Sequence, residues 1–135
     1  LRMYLLLFLF SSARSSAENA PAGAWLLASK TPLSPFGFQG KDYVFQYGLY
    51  NVGDRPATKI TLDDNNSFPA EYFSIVAGMT QITVSRLNPG GNITHVVILH
   101  ATQAGEYDFP AARITYSPDV DSAEMRERLT TTPGK

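Results

Sequence analysis

Between residues 41 and 64 the chain reads KDYVFQYGLYNVGDRPATKITLDD, and this stretch restricts the fold more than any other. Tyr43, Phe45, Tyr47 and Leu49 recur at every second position, so all four fall on one face of an extended strand. Ile60 and Leu62 repeat the pattern after a polar break at residues 51–57. In that break Gly53, Asp54 and Pro56 suit a tight reversal, because Gly accepts positive φ and Pro presets φ while offering no N–H. Half-buried strands joined by a polar connection imply an antiparallel β-sandwich. None of these residues brings a reactive group.

The rest of the chain extends the same pattern. Residues 25–30 read as a first edge strand. Residues 31–40, with Pro32, Pro35, Gly37 and Gly40, read as a loop of extended course. Residues 73–76 and 79–87 give two short strands separated near Gly78. Asn88, Pro89, Gly90 and Gly91 put Pro and Gly where a type II turn needs them. Residues 93–102 are apolar on both faces at their middle, as a central strand requires. Residues 106–117 run back, and Pro110 marks a bulge or edge position there because it cannot donate to a ladder. The last segment has two readings. Asp121 and Glu124 form a capping box for a helix over residues 122–129, and the same region suits a turn before a charged edge strand over residues 125–131.

A length of 135 residues suits one domain. An apolar fraction of 44%, with 12% aromatic residues, supports a packed core and argues against disorder. The net charge of −1 leaves no electrostatic footprint for nucleic acid. Residues 1–17 differ from the rest: Arg2 precedes an apolar run over residues 4–10, followed by small residues ending in Ser15, Ser16 and Ala17. That is the pattern of a secretory signal cleaved after Ala17, with residues 18–24 as a linker. The apolar run is too short to span a bilayer, which takes about 20 residues. Export makes the lack of Cys consequential. No disulfide, thiol nucleophile or thiolate ligand is available, and apolar burial must hold the domain together.

The polar residues suggest few chemical sites. His95 and His100 lie five apart on one strand, face opposite ways, and do not converge on a metal. Asp54, Asp63, Asp64, Asp119 and Asp121 form no ordered calcium loop, and acids in turns read as solvated caps. A hydrolase would need two carboxyls facing one cleft. Nucleotide-binding and nucleophile-elbow motifs are absent, and no cofactor is implied. Two sequons, Asn92-Ile93-Thr94 and Asn65-Asn66-Ser67, make Asn92 and Asn65 candidate N-glycosylation sites in an exported chain. Tyr107, two residues before Phe109, suits the tyrosine corner of immunoglobulin-like sandwiches, and Phe109 sits where antibody domains place a Cys. The expected fold is all-β, an immunoglobulin-like antiparallel β-sandwich of about seven strands over residues 25–132.

The segments LLASK at residues 26–30, YGLYNVGDRPA at 47–57 and DDNNSFPAEYFSIVAGM at 63–79 carry a family resemblance. So do SRLNPGGNITHVVIL at residues 85–99, AGEYDFPAARITYS at 104–117 and the run Thr130-Thr131-Thr132-Pro133-Gly134. Together they resemble, in order, the lumenal domain of the translocon-associated protein beta family, also called signal-sequence receptor beta. The resemblance implies a type I protein of the endoplasmic reticulum membrane with an immunoglobulin-like lumenal domain. It also implies a non-enzymatic subunit beside the protein-conducting channel, assisting translocation or topogenesis with alpha, gamma and delta sister subunits. The family's sequon falls on Asn92, and the family pattern favours the edge-strand reading of residues 125–131. Residues 133–135 would begin the linker to a membrane anchor beyond Lys135. Trp25, Phe36 and Phe38 are candidates for contact with partners, and equally for places in the core. The competing reading is a secreted or surface adhesive, glycan-binding sandwich.

Overall fold

A computed structural model describes residues 22–33, 42–103 and 107–131. The expected signal segment, Phe36, Phe38 and residues 132–135 lie outside the described residues. The described residues form eight strands: β1 (Leu26–Pro32), β2 (Asp42–Asn51), β3 (Ala57–Asp63), β4 (Phe73–Ala77), β5 (Gln81–Leu87), β6 (Asn92–Ala101), β7 (Arg113–Ser117) and β8 (Arg126–Leu129). They form two four-stranded antiparallel sheets, ordered β1-β2-β6-β4 and β5-β3-β7-β8. The expected sandwich is therefore present, with eight strands in place of about seven. Neighbours β1-β2-β6 and β3-β7-β8 follow the A-B-E and C-F-G orders of immunoglobulin-like sandwiches. The chain visits β4, beside E, before β5, beside C, so the connection between these two crosses sheets.

The core lies where the alternation puts it. Phe45, Tyr47 and Leu49 of β2 face Ile60 and Leu62 of β3 across the sandwich, with Val97, Leu99, Ile114 and Tyr116, all 2% exposed or less. Ala57 joins them although it lies three residues before Ile60. The β3–β7 register shifts between Thr58 and Thr61, and Lys59 takes a positive φ of 52°. The added residue lets both Ala57 and Ile60 point inward.

The break at residues 51–57 is not a hairpin. β2 pairs with β1 and β6, and β3 pairs with β5 and β7, so this segment carries the chain from one sheet to the other. Gly53 is needed there for closeness rather than for positive φ: a Cβ would stand 2.3 Å from the Gly23 carbonyl oxygen and 2.4 Å from the Trp25 nitrogen. Asn51 is the crossover's clamp. Fully buried, its Oδ1 accepts from the N–H groups of Trp25 (3.2 Å) and Gly53 (2.9 Å). Its Nδ2 donates to the carbonyls of Arg55 and Leu87, both at 2.9 Å.

Other connections follow their expected chemistry more closely. Gly90 has φ of 76°, and Gly91 N–H donates to Asn88 C=O at 2.9 Å, as a type II turn demands. Pro110 lies before β7 and takes no place in the ladder: residues 107–112 form no strand, which corrects that part of the run expected to return from residue 106. The tail is a strand. β8 pairs with β7, Arg126 donates to the carbonyls of Ala24 (3.0 Å) and Ala22 (2.9 Å), and the Arg128 guanidinium lies 3.5 Å from the centre of the Trp25 ring. These contacts come from residues remote in sequence, which a local capping pattern does not register. Ser29 and Thr131 then form a parallel bridge that joins the two sheets at the β1 side.

Candidate functional site

The main polar cluster is buried between the sheets. Leu26, Ala28 and Lys30 alternate on the inward face of β1, so the period-two pattern carries a Lys into the core, where it is 1% exposed. Its ammonium makes three polar contacts: Asp64 Oδ2 at 2.9 Å, Ser67 Oγ at 3.0 Å and the Pro110 carbonyl at 2.8 Å. The Phe68 and Phe45 rings lie 4.9 and 5.4 Å from it. The Asp64 carboxylate also accepts from the Tyr47 and Ser67 hydroxyls. Burial pushes the Lys30 pKa down, against the pull of Asp64. Burial and the neighbouring carboxylate push the Tyr47 phenol well above its ordinary value. Lys30, Tyr47 and Ser67 all donate to the carboxylate, and all three are buried. The cluster ties β1, β2, the β3–β4 connection and the approach to β7 together, where a disulfide is unavailable.

Asp64 was expected to be a solvated turn cap, and the structure corrects this: it is 2% exposed. None of the other turn acids, Asp54, Asp63, Asp119 and Asp121, is buried. Asp54 accepts from Gly23 N–H at 2.9 Å, Asp63 from Asn65 N–H at 3.0 Å, and Asp119 lies 3.7 Å from Arg55. His95 approaches the Met79 carbonyl at 2.7 Å, and His100 approaches Asp42 at 3.1 Å. Among the described residues, no three His, Asp or Glu side chains gather as a metal site.

Asn92 opens β6 on the outward face of its sheet and is exposed. In register, Leu27 pairs with Tyr50 and Tyr50 with Asn92; in the next row on that face, Ser29 pairs with Gly48 and Gly48 with Thr94. Both sequon side chains, Asn92 and Thr94, therefore stand beside a shallow groove of about 600 Å³. Asn65 differs: its Nδ2 donates to Gln81 Oε1 at 2.9 Å, and its Oδ1 accepts from Thr80.

Tyr107 packs beside Tyr72 and edge-on to Phe73, each at 4.9 Å between ring centres, and its hydroxyl makes a long 3.4 Å contact with the Gln103 carbonyl. Phe109 joins Phe45, Phe68 and Phe73 in one aromatic cluster, its ring centre 4.8 Å from that of Phe45. Trp25 is half-buried beneath Arg128. On the side away from β1, the edge strand β4 and the turn after it expose Ile75, Val76 and Met79.

Comparison with known proteins adds a family. The profile described as Translocon-associated protein beta (TRAPB) matches residues 3–135. A curated relative, the translocon-associated protein subunit beta of Caenorhabditis elegans, is 41% identical over 112 residues, which is 83% of this chain and 58% of the relative. The chain thus spans a little over half the length of that relative. Among solved structures, a GH20 exo-β-N-acetylglucosaminidase from Vibrio harveyi bound to N-acetylglucosamine aligns with 80% of this chain and 18% of its own. At 15% identity and a TM-score of 0.44, that likeness carries no argument about function, and neither does the equal match to an inactive variant of the same enzyme.

Proposed function

The chain belongs to the translocon-associated protein beta family, and we propose that it is the lumenal part of a non-catalytic subunit of the complex of that name at the endoplasmic reticulum membrane. The family match over residues 3–135 carries this reading. In it, residues 1–17 direct export, the sandwich occupies the lumen, and an anchor beyond Lys135 holds it in the membrane. The domain works by docking against the alpha, gamma and delta subunits and the protein-conducting channel, and so assists translocation or topogenesis of nascent chains. The structure supports docking over chemistry through the use of its polar groups: the buried cluster at Lys30 and Asp64 is closed and fully paired, a strut rather than a reaction centre. Edge strand β4, with Ile75 and Val76, offers main-chain and apolar contact of the kind subunit assembly uses. Tyr107 serves the fold in this account, its ring bracing the approach to β7.

Asn92 carries the glycan in this reading. The Asn65 amide is engaged with Gln81 and Thr80, whereas Asn92 stands exposed at a strand end. In intact microsomes the domain is expected to resist added protease, and a glycosidase is expected to shift its mobility by one glycan. Asn92→Gln should abolish that shift, and Asn65→Gln should leave it. Digestion of the domain by protease outside sealed vesicles would contradict the lumenal placement.

A further inference from the structure

Resting on the reading that Asn92 is glycosylated, we propose that its first N-acetylglucosamine lies in the groove beside it, packed on the Tyr50 ring. Four observations converge. Tyr50 stands directly opposite Asn92 in the β2–β6 register, on the same outward face. Tyr50 is 43% exposed and Leu27, next in the row, is 51% exposed, so an apolar strip runs straight from the attachment point. The next row supplies the hollow: Gly48 has no side chain, and a Cβ there would come within 2.8 Å of Ser29 Oγ. The far wall of the groove is formed by Arg128, Leu129 and Thr131, and its near rim by Asn92 and Thr94.

A pyranose ring presents one face of C–H groups and a rim of hydroxyls. The electron-rich face of a tyrosine ring attracts such C–H groups, as it attracts the positive edge of another aromatic. The hydroxyl rim would meet polar atoms of Thr94, Thr131 and Arg128. The occupant follows from tethering: a sugar bonded to Asn92 is held beside the strip at high effective concentration, whereas a free ligand or partner chain would have to displace it. The glycan thus covers an apolar strip that would otherwise face the lumen, and keeps that face from competing with the free edges for partners.

The test uses the full-length protein, extracted in mild detergent, with Asn65→Gln, and the glycan is read on the proteolytic peptide that contains Asn92. An amidase that cuts the Asn–sugar bond is applied to the native protein and, separately, after denaturation. Packing shields the bond, so Tyr50→Ala is expected to speed native release by about five- to tenfold, while Tyr50→Phe, which keeps the ring, releases like the parent. Leu27→Ser, at the far end of the strip, provides a second variant and should speed release in the same direction. All variants should release equally once denatured. If release after denaturation yields no glycan from the parent, both the Asn92 reading and this inference fall. If the glycan is present and Tyr50→Ala matches the parent in native release, or Tyr50→Phe matches Tyr50→Ala, the inference alone is overturned.

Discussion

Lys30→Met is expected to destabilise the domain by about 3–5 kcal/mol, a large share of what a domain of this size possesses. The methionine fills much of the same space between Phe45 and Phe68. It leaves Asp64 buried without its cation, with only the Tyr47 and Ser67 hydroxyls as donors, and leaves the Pro110 carbonyl without the ammonium. The cost comes from the stranded charge rather than from lost packing. Removing that charge should therefore return part of the loss: Lys30→Met with Asp64→Asn is expected to be more stable than the sum of the two single changes predicts, by about 1–3 kcal/mol. Equilibrium denaturation of the four proteins closes the cycle. Additive losses would mean that the pair contributes no coupling and that the cluster is not the strut described above.

The second large effect is expected at the crossover. Asn51→Ala removes two acceptor contacts and two donor contacts together, leaving the N–H groups of Trp25 and Gly53 and the carbonyls of Arg55 and Leu87 without that partner. Each buried group left unpaired costs about 1–3 kcal/mol, though water admitted at the partly buried end lessens the sum, so a total near 3–5 kcal/mol is expected. Asn66→Ala, in the exposed turn after β3, provides the contrast and should stay within about 0.5 kcal/mol of the parent. Chemical denaturation midpoints measure both. An Asn51→Ala protein as stable as Asn66→Ala would show that the crossover holds by other means.

These two sites also show where sequence reading stops. Period-two alternation made the inward faces of β2 and β3 legible, because a strand buried on one face must repeat every second residue, and β6 was legible as a central strand from its continuous apolar run. Pro89 and Gly90 announced their turn through φ requirements that are local. The crossover at residues 51–57 carried the same kinds of turn residue, yet nothing local tells a hairpin from a change of sheet. Gly53 suits a turn by its conformational freedom, but the fold requires it for the close passage of the Gly23–Trp25 backbone. Lys30 was in phase with Leu26 and Ala28, a visible sign that it points inward. Its partner Asp64 lies 34 residues on, in a cluster of acids and amides that reads as solvated. A charged residue on a core phase is the signal to search for a distant counter-charge. The strand at β8 was decided by Trp25, Ala22 and Ala24 from the other end of the domain, contacts that a capping pattern of four residues does not contain. Asn92 was legible as a sequon, but its alignment with Tyr50 and the hollow at Gly48 appear only once β2 and β6 are paired.

A docking subunit must be found with its partners. Full-length protein should be drawn from microsomes in mild detergent by an affinity handle, and the proteins that accompany it identified by mass spectrometry. Sister translocon-associated subunits and the protein-conducting channel, recovered in near-stoichiometric amounts, are the predicted result. Recovery of the glycosylated chain by itself, from membranes in which those proteins are intact and abundant, would contradict it.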